Sequence, residues 1–249
     1  MQKNCSLQEP VNKIKITLSV NAGVSIEFCS AKILIDALHD NKVPKYSTLD
    51  ESRKEQLMQC PAFRSPDAII FTHCHSDHFG RDMTEEAMRK WPDARVILPE
   101  DRLPEGEILT ESLEETMVGD VRVTFVRTIH MGDHYVSVPH YCVLMEENGA
   151  SVLFTGDTAV GGKDLAEFCS GKDIDVALMP FPWAMLRGGR RSVQEVIEPE
   201  HLVILHLPLE EDDTEGYRRA TEKCIAKLSP DIDIRIMDEF LQEEIIYYD

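Results

Sequence analysis

Apolar and polar positions along this chain change period several times, and each change marks an element. Residues 13–20 (KIKITLSV), 24–29 (VSIEFC) and 32–38 (KILIDAL) alternate or run apolar, and the intervening Asn21-Ala22-Gly23 and Ser30-Ala31 carry turn chemistry. Three strands joined by tight turns are predicted there. A polar, helix-compatible stretch near 48–59 follows, then DAIIFTH (67–73), whose unbroken apolar centre suits a strand covered on both faces. A helix is expected over 84–90, a strand over 94–99 and a half-buried strand over 121–128. Residues 140–146 and 150–156 flank Glu147-Asn148-Gly149, a hairpin signal. Beyond it, helices near 163–169, 192–197 and 214–228 alternate with strands over 175–180, 201–206 and 233–238. Strands in hairpins followed by strands alternating with helices predict an α/β fold of mixed sheets covered by helices. No linker stands out, so a single domain over residues 1–249 is expected.

The polar residues that interrupt this pattern fall just after strand ends: Asp36, His73 to His78, His130, Asp157 and His206. Loops leaving neighbouring strand ends are where layered α/β proteins assemble their sites. The densest cluster is IIFTHCHSDHFG (69–80), which places His73, His75, Asp77 and His78 within six positions. His73 and His75 alternate across one residue, so in an extended segment both imidazoles point the same way. The chain then turns, and Asp77 and His78 can face a second ion. Mixed imidazole and carboxylate ligands suit zinc, iron or manganese, whereas an all-oxygen shell would indicate magnesium or calcium. Cys74 lies between the ligands with its side chain directed away from them.

Charge and cysteine content narrow the field. Twenty-six Lys and Arg against 45 Asp and Glu give a formal charge of −19, which disfavours nucleic acid as a bulk partner. Seven cysteines are scattered without CxxC pairs, fitting reduced thiols and excluding a four-cysteine zinc site. The opening MQKNCSLQEP has neither the charge pattern nor the apolar run of a signal peptide, and no stretch is apolar enough to span a membrane. A cytoplasmic protein without membrane partners is expected; self-association is left open.

His73-Cys74-His75-Ser76-Asp77-His78 after an apolar strand resembles the signature of the metallo-β-lactamase superfamily. The downstream landmarks occur in that family's order: His130 after a strand, Gly156-Asp157-Thr158 after a strand, and His206 ending a late strand. The resemblance implies a four-layer αββα sandwich with a dinuclear metal site. Carried over by motif, His73, His75 and a third histidine would hold one metal. Asp77, His78 and His206 would hold the second, and Asp157 would bridge both. His130, His134 and His140 compete for the third position, and His130 directly ends the strand over 121–128. Asp36 is read as an orienter of the ligands, whereas His39 and His201 are assigned no chemical role.

Two bound dications, most readily zinc with iron or manganese as alternatives, would turn a bridging water into a nucleophile near neutral pH. Asp157 would position that nucleophile, and His134 could pass a proton to the leaving group. The basic island in FPWAMLRGGRRSVQEV (181–196) offers Arg187, Arg190 and Arg191 to clamp a phosphate or carboxylate, with Trp183 nearby as a further substrate contact. The expected activity is hydrolysis of a small anionic ester, a phosphodiester or a lactone. An RNA-processing phosphodiesterase and a non-catalytic metal-stabilised binding or sensor protein are the alternatives.

Overall fold

The computed structural model describes residues 13–248; Cys5 and the opening segment in which no signal peptide was read lie outside them. Two seven-stranded sheets form its centre. The first contains β1 (Lys13–Leu18), β2 (Val24–Glu27), β3 (Lys32–Ile35), β4 (Ala68–Ile70), β5 (Arg95–Leu98) and β6 (Glu107–Ile108). The second contains β7 (Leu113–Val118), β8 (Val121–Arg127), β9 (Tyr141–Glu147), β10 (Ala150–Phe154), β11 (Val176–Pro180), β12 (His201–Leu205) and β13 (Asp233–Ile236). A last strand, β14 (Glu243–Tyr247), returns to the first sheet and pairs antiparallel with β1, giving the order β14-β1-β2-β3-β4-β5-β6. The second sheet runs β7 through β13 in sequence. In each sheet four strands pair antiparallel and the next three are added in parallel.

The side-chain period of two explains the layering. Ile14, Ile16, Val24, Ile26, Ile33 and Ile35 of the first sheet share one buried cluster with Val123, Phe125, Val143, Val152 and Val176 of the second. Each such side chain contributes roughly 1.5–3 kcal/mol on burial. The alternate residues face outwards and are also covered. Leu34, Ile69, Val96 and Leu98 pack with Leu57 of α1 (Glu51–Gln59) and Met83 and Ala87 of α2 (Arg81–Lys90). Leu144, Leu153, Ala177, Met179 and Leu202 pack with Leu165 of α3 (Lys163–Cys169), Trp183 of α4 (Pro182–Met185) and Ile225 of α6 (Tyr217–Ile225). Helices on the outer face of each sheet and a core between the sheets make the expected αββα sandwich.

The element boundaries differ from the sequence reading in ways that matter for the site. β3 ends at Ile35, not residue 38, because Asp36 leaves the strand with φ 50. β12 likewise ends at Leu205, and His206 has φ 62. Both residues sit in left-handed backbone that non-glycine residues seldom adopt, and such strain concentrates at functional sites. The segment 181–196, where the sequence predicts a helix only near 192–197, is mostly helical: α4, a break at extended Leu186, then α5 (Arg187–Ser192), then a π-helical turn at Val193–Ile197. No helix among the described residues is long and apolar enough to cross a membrane.

Candidate metal centre

Strand ends of both sheets deliver the polar residues to one place. From the first sheet, the turn after β4 brings His73, His75, Asp77 and His78, stabilised by hydrogen bonds from the His78 and Phe79 amides to the His75 carbonyl (3.0 and 2.8 Å). From the second sheet come His130 after β8, Asp157 after β10 and His206 after β12. The His130 loop is laid against the Asp157 loop: Met131 N donates to Asp157 O at 2.7 Å, Ala159 N donates to Ile129 O at 2.7 Å, and His130 and Thr158 form a β-bridge. Gly156 (φ 50) permits this crowding, since a Cβ there would lie 2.8 Å from both His140 Nε2 and Thr72 Oγ1.

Among the described residues, three sets of potential ligand atoms lie within 4.8 Å of one another: two ligand groups, His73 with His75 and His130 and Asp77 with His78 and His206, and a third set, Asp36 with His73 and His78, that shares its histidines with them. Asp157 faces both ligand groups. Its Oδ2 is 3.5 Å from His78 Nε2 and 3.8 Å from His130 Nε2, and its Oδ1 is 3.5 Å from His206 Nε2.

The hydrogen bonds behind these atoms decide what they can bind. Asp36, fully buried, accepts from Thr72 N (2.8 Å), Thr72 Oγ1 (2.6 Å) and His78 Nδ1 (2.8 Å). Because Thr72 Oγ1 donates to Asp36, it is left to accept from His73 Nδ1 at 3.0 Å. His130 Nδ1 faces the Met131 carbonyl at 2.7 Å. Each Nδ1 is therefore a protonated nitrogen, and the Nε2 atoms of His73, His78 and His130 point into the site, those of His73 and His130 with free lone pairs. The nitrogens converge: His73 and His130 Nε2 are 3.3 Å apart, and His78 and His206 Nε2 are 2.9 Å apart, close enough to share a proton when no metal lies between them. Asp157 Oδ1 is buried without a hydrogen-bond partner among the described residues. Converging lone pairs and an unpartnered buried carboxylate oxygen repel one another unless a cation lies between them, so the donor set fits metal ions.

The electrostatics agree with a site built for positive charge. Burial pushes His73, His75 and His130 below the ordinary imidazole pKa, keeping them in the neutral form a metal requires. Burial opposes ionisation of Asp157 and Asp77, but His206 and His78 outweigh it and hold both carboxyls below their ordinary range. Burial likewise opposes charging of His78, yet the Asp157 and Asp36 carboxylates pull its pKa well above the usual value.

The remaining sequence candidates fall elsewhere. His134 is exposed, in a short helical turn at Asp133–Tyr135, and belongs to neither ligand group. His140 is fully buried behind the ligands, its ring 5.1 Å from that of His73 and its Nδ1 2.9 Å from Thr128 Oγ1. Trp183 is 1% exposed and packs in the core beneath α4, which removes it from any substrate-facing surface. Arg190 Nη1 donates to the carbonyls of Ala184 and Met185 (2.8 and 2.6 Å), securing the end of α4, and Arg191 pairs with Glu195 at 2.7 Å. Arg187 is exposed and has no ion pair among the described residues.

Sequence reasoning missed two tyrosines. Tyr46 sets its ring edge-on to His206, with centroids 4.5 Å apart. It is held there through buried Asn21, whose side chain bonds the Ser47 amide and carbonyl (both 2.9 Å) while its own carbonyl accepts from His206 N at 2.9 Å. Burial, then the Asp157 and Asp77 carboxylates, push its phenol above the ordinary pKa and keep it protonated. Tyr135 packs its ring on His75 and His130, with centroids 5.0 and 5.2 Å away. Neither residue belongs to a motif, and only tertiary structure brings them in.

A family model described as a beta-lactamase superfamily domain matches residues 31–211. A UPF0173 metal-dependent hydrolase from Pyrococcus furiosus is 28% identical over 228 residues, covering 85% of this chain and 94% of that protein. Among solved structures, the metallo-beta-lactamase fold protein YhfI from Bacillus subtilis superposes with a TM-score of 0.63 at 15% identity, over 94% of this chain and 99% of that one. Igni18, a metallo hydrolase from Ignicoccus hospitalis, gives 0.62 at 17% identity over 95% and 100%.

Proposed function

The chain belongs to the beta-lactamase superfamily, and from that premise we propose that it is a metal-dependent hydrolase with a centre for two divalent transition-metal ions, acting on a small anionic ester such as a phosphodiester or lactone. The observation that carries the reading is Asp157, one carboxylate within 3.5–3.8 Å of imidazole nitrogens from both ligand groups. His73, His75 and His130 would hold one ion, and Asp77, His78 and His206 the other, with Asp157 shared. The histidine-rich set favours zinc, with iron or manganese as alternatives. The likeness to the Pyrococcus metal-dependent hydrolase supports the class of activity.

When bound, such ions supply Lewis acidity and lower the pKa of water toward neutrality. The chain's own residues do the rest. Asp36 and Thr72 fix the tautomers of His78 and His73, so their Nε2 atoms are presented without rearrangement. Asp157 orients the attacking water. Two side chains are candidates to pass a proton to the leaving group, His134 and Tyr46. Geometry favours Tyr46, whose protonated phenol ring lies against His206, whereas His134 is exposed at the loop tip. Arg187 is exposed, has no ion pair among the described residues and precedes Gly188, which approaches Val160 after Asp157; it is suited to steer an anionic substrate within an otherwise acidic protein.

Metal content per chain, by elemental analysis of purified protein, tests the reading. Close to two transition-metal equivalents are expected, halved or lost in His130→Ala and retained in His134→Ala. A chain that takes up no zinc, iron or manganese when all three are supplied would overturn it.

A further inference from the structure

The apolar surface of the protein is not spread evenly. Eight large hydrophobic side chains are exposed among the described residues; three of them, Ile129, Tyr135 and Val136, sit on the loop that carries His130, and a fourth, Leu186, sits beside the helix that approaches the segment after Asp157. Ile129 precedes His130, and its carbonyl is tied to the Asp157 loop through Ala159 N. Tyr135 stands 47% exposed with its other surface against His75 and His130, and Val136 beside it is 61% exposed. Leu186, 50% exposed, immediately precedes α5, whose Gly188 approaches Val160, three residues beyond Asp157. Leaving such groups in water is unfavourable, and apolar surface gathered beside a polar centre is characteristic of a ligand-binding groove.

Resting on the hydrolase reading above, we infer that the substrate carries an apolar aryl or alkyl group next to its anionic ester, and that this group lies along Tyr135, Ile129 and Leu186 while the ester faces the metal ligands. The occupant is set by continuity: the Tyr135 ring packs edge-on to His75 and tilted against His130, so whatever covers its free surface is within one group's length of the reacting bond. A purely polar substrate would leave this rim wet. Tyr135 is accordingly a specificity-determining residue.

Calorimetric binding of two non-hydrolysable anions, phenylphosphonate and methylphosphonate, to the metal-loaded full chain tests this without turnover. Their head groups are alike, so the affinity ratio reports the apolar part alone. Phenylphosphonate is expected to bind about tenfold tighter. Tyr135→Ala and Ile129→Ser should each reduce that ratio about threefold or more, Tyr135→Phe should retain it, and Met117→Ser, altering an equally exposed residue of β7, should leave it unchanged. Equal affinities in the wild type, or a ratio that survives Tyr135→Ala, would overturn the assignment. Metal content measured on the same samples separates the failures. A missing preference with metal bound sinks only the apolar subsite, and a chain without metal sinks the hydrolase reading and the subsite together.

Discussion

The two sheets share one pairing plan, four antiparallel strands followed by three added in parallel, yet they carry chemistry differently. In the first sheet the candidate ligands fall within six positions, all from the turn after β4, with Asp36 after β3 bracing them. In the second they are single residues after β8, β10 and β12, tens of positions apart in sequence. Asp36 and Asp157 occupy corresponding places, each following the last antiparallel strand. One has become a fully buried brace with three hydrogen bonds, and the other has an oxygen without a hydrogen-bond partner among the described residues. A repeated framework thus fixes where a carboxylate can stand, while the hydrogen bonds around it decide whether it supports or binds.

Substitutions can break that contrast. Asp157→Asn should have the largest effect, a loss in kcat/KM of about a thousandfold or more, since it removes the carboxylate charge that lies within 3.5–3.8 Å of both ligand groups; steady-state hydrolysis of an activated phosphodiester would register it. Tyr46→Phe keeps the ring against His206 and removes the hydroxyl, so kcat should fall about a hundredfold with metal content unchanged. If His134→Ala instead produces that fall, the proton comes from the other side of the site. Asp36→Asn should act on metal affinity, lowering it about 10–100-fold in a chelator competition, because it removes the charge opposite His78 Nδ1. If Asp36→Asn matched Asp157→Asn in turnover at saturating metal, the distinction between brace and ligand would collapse.

The smallest effect concerns histidines outside the ligand groups. Burial holds His39 and His140 neutral, with pKa values lowered to about 3. Both protonate near pH 6.5 in the unfolded chain, so their contribution to stability is fully present above that pH and is lost as pH falls toward 3. At pH 5 each costs about 2 kcal/mol relative to pH 7. Urea titrations of chelator-treated protein at the two pH values should show the loss, and His39→Leu should recover about half of it.

Much of this was legible in the chain. Alternating KIKITL and VSIE, the apolar centre of DAIIFTH and the Asn148-Gly149 turn encode their strands locally, and the dense histidine turn declares itself by spacing. Other parts depend on distant contacts. β6 is two exposed residues, and β7 exposes Leu113 and Met117 while turning Glu114 and Thr116 partly inward, so neither carries an apolar inward-facing pattern. The glycines of RGGRRS carry no helical signal of their own. They serve close packing instead, since a Cβ on Gly189 would lie 2.3 Å from the Trp183 carbonyl oxygen. Tyr46 reaches the site only because Asn21, in what reads as an ordinary turn, clamps Ser47 across 26 residues of sequence.

The return of β14 to β1 has a consequence of a different kind. Until β14 arrives, β1 is a bare edge whose Ile14 and Ile16 belong to the core, an open template for pairing with another chain. None of the candidate ligands lies on β14. A chain lacking it would hold every ligand yet tend to aggregate, so solubility and chemical competence are encoded in separate parts of this molecule.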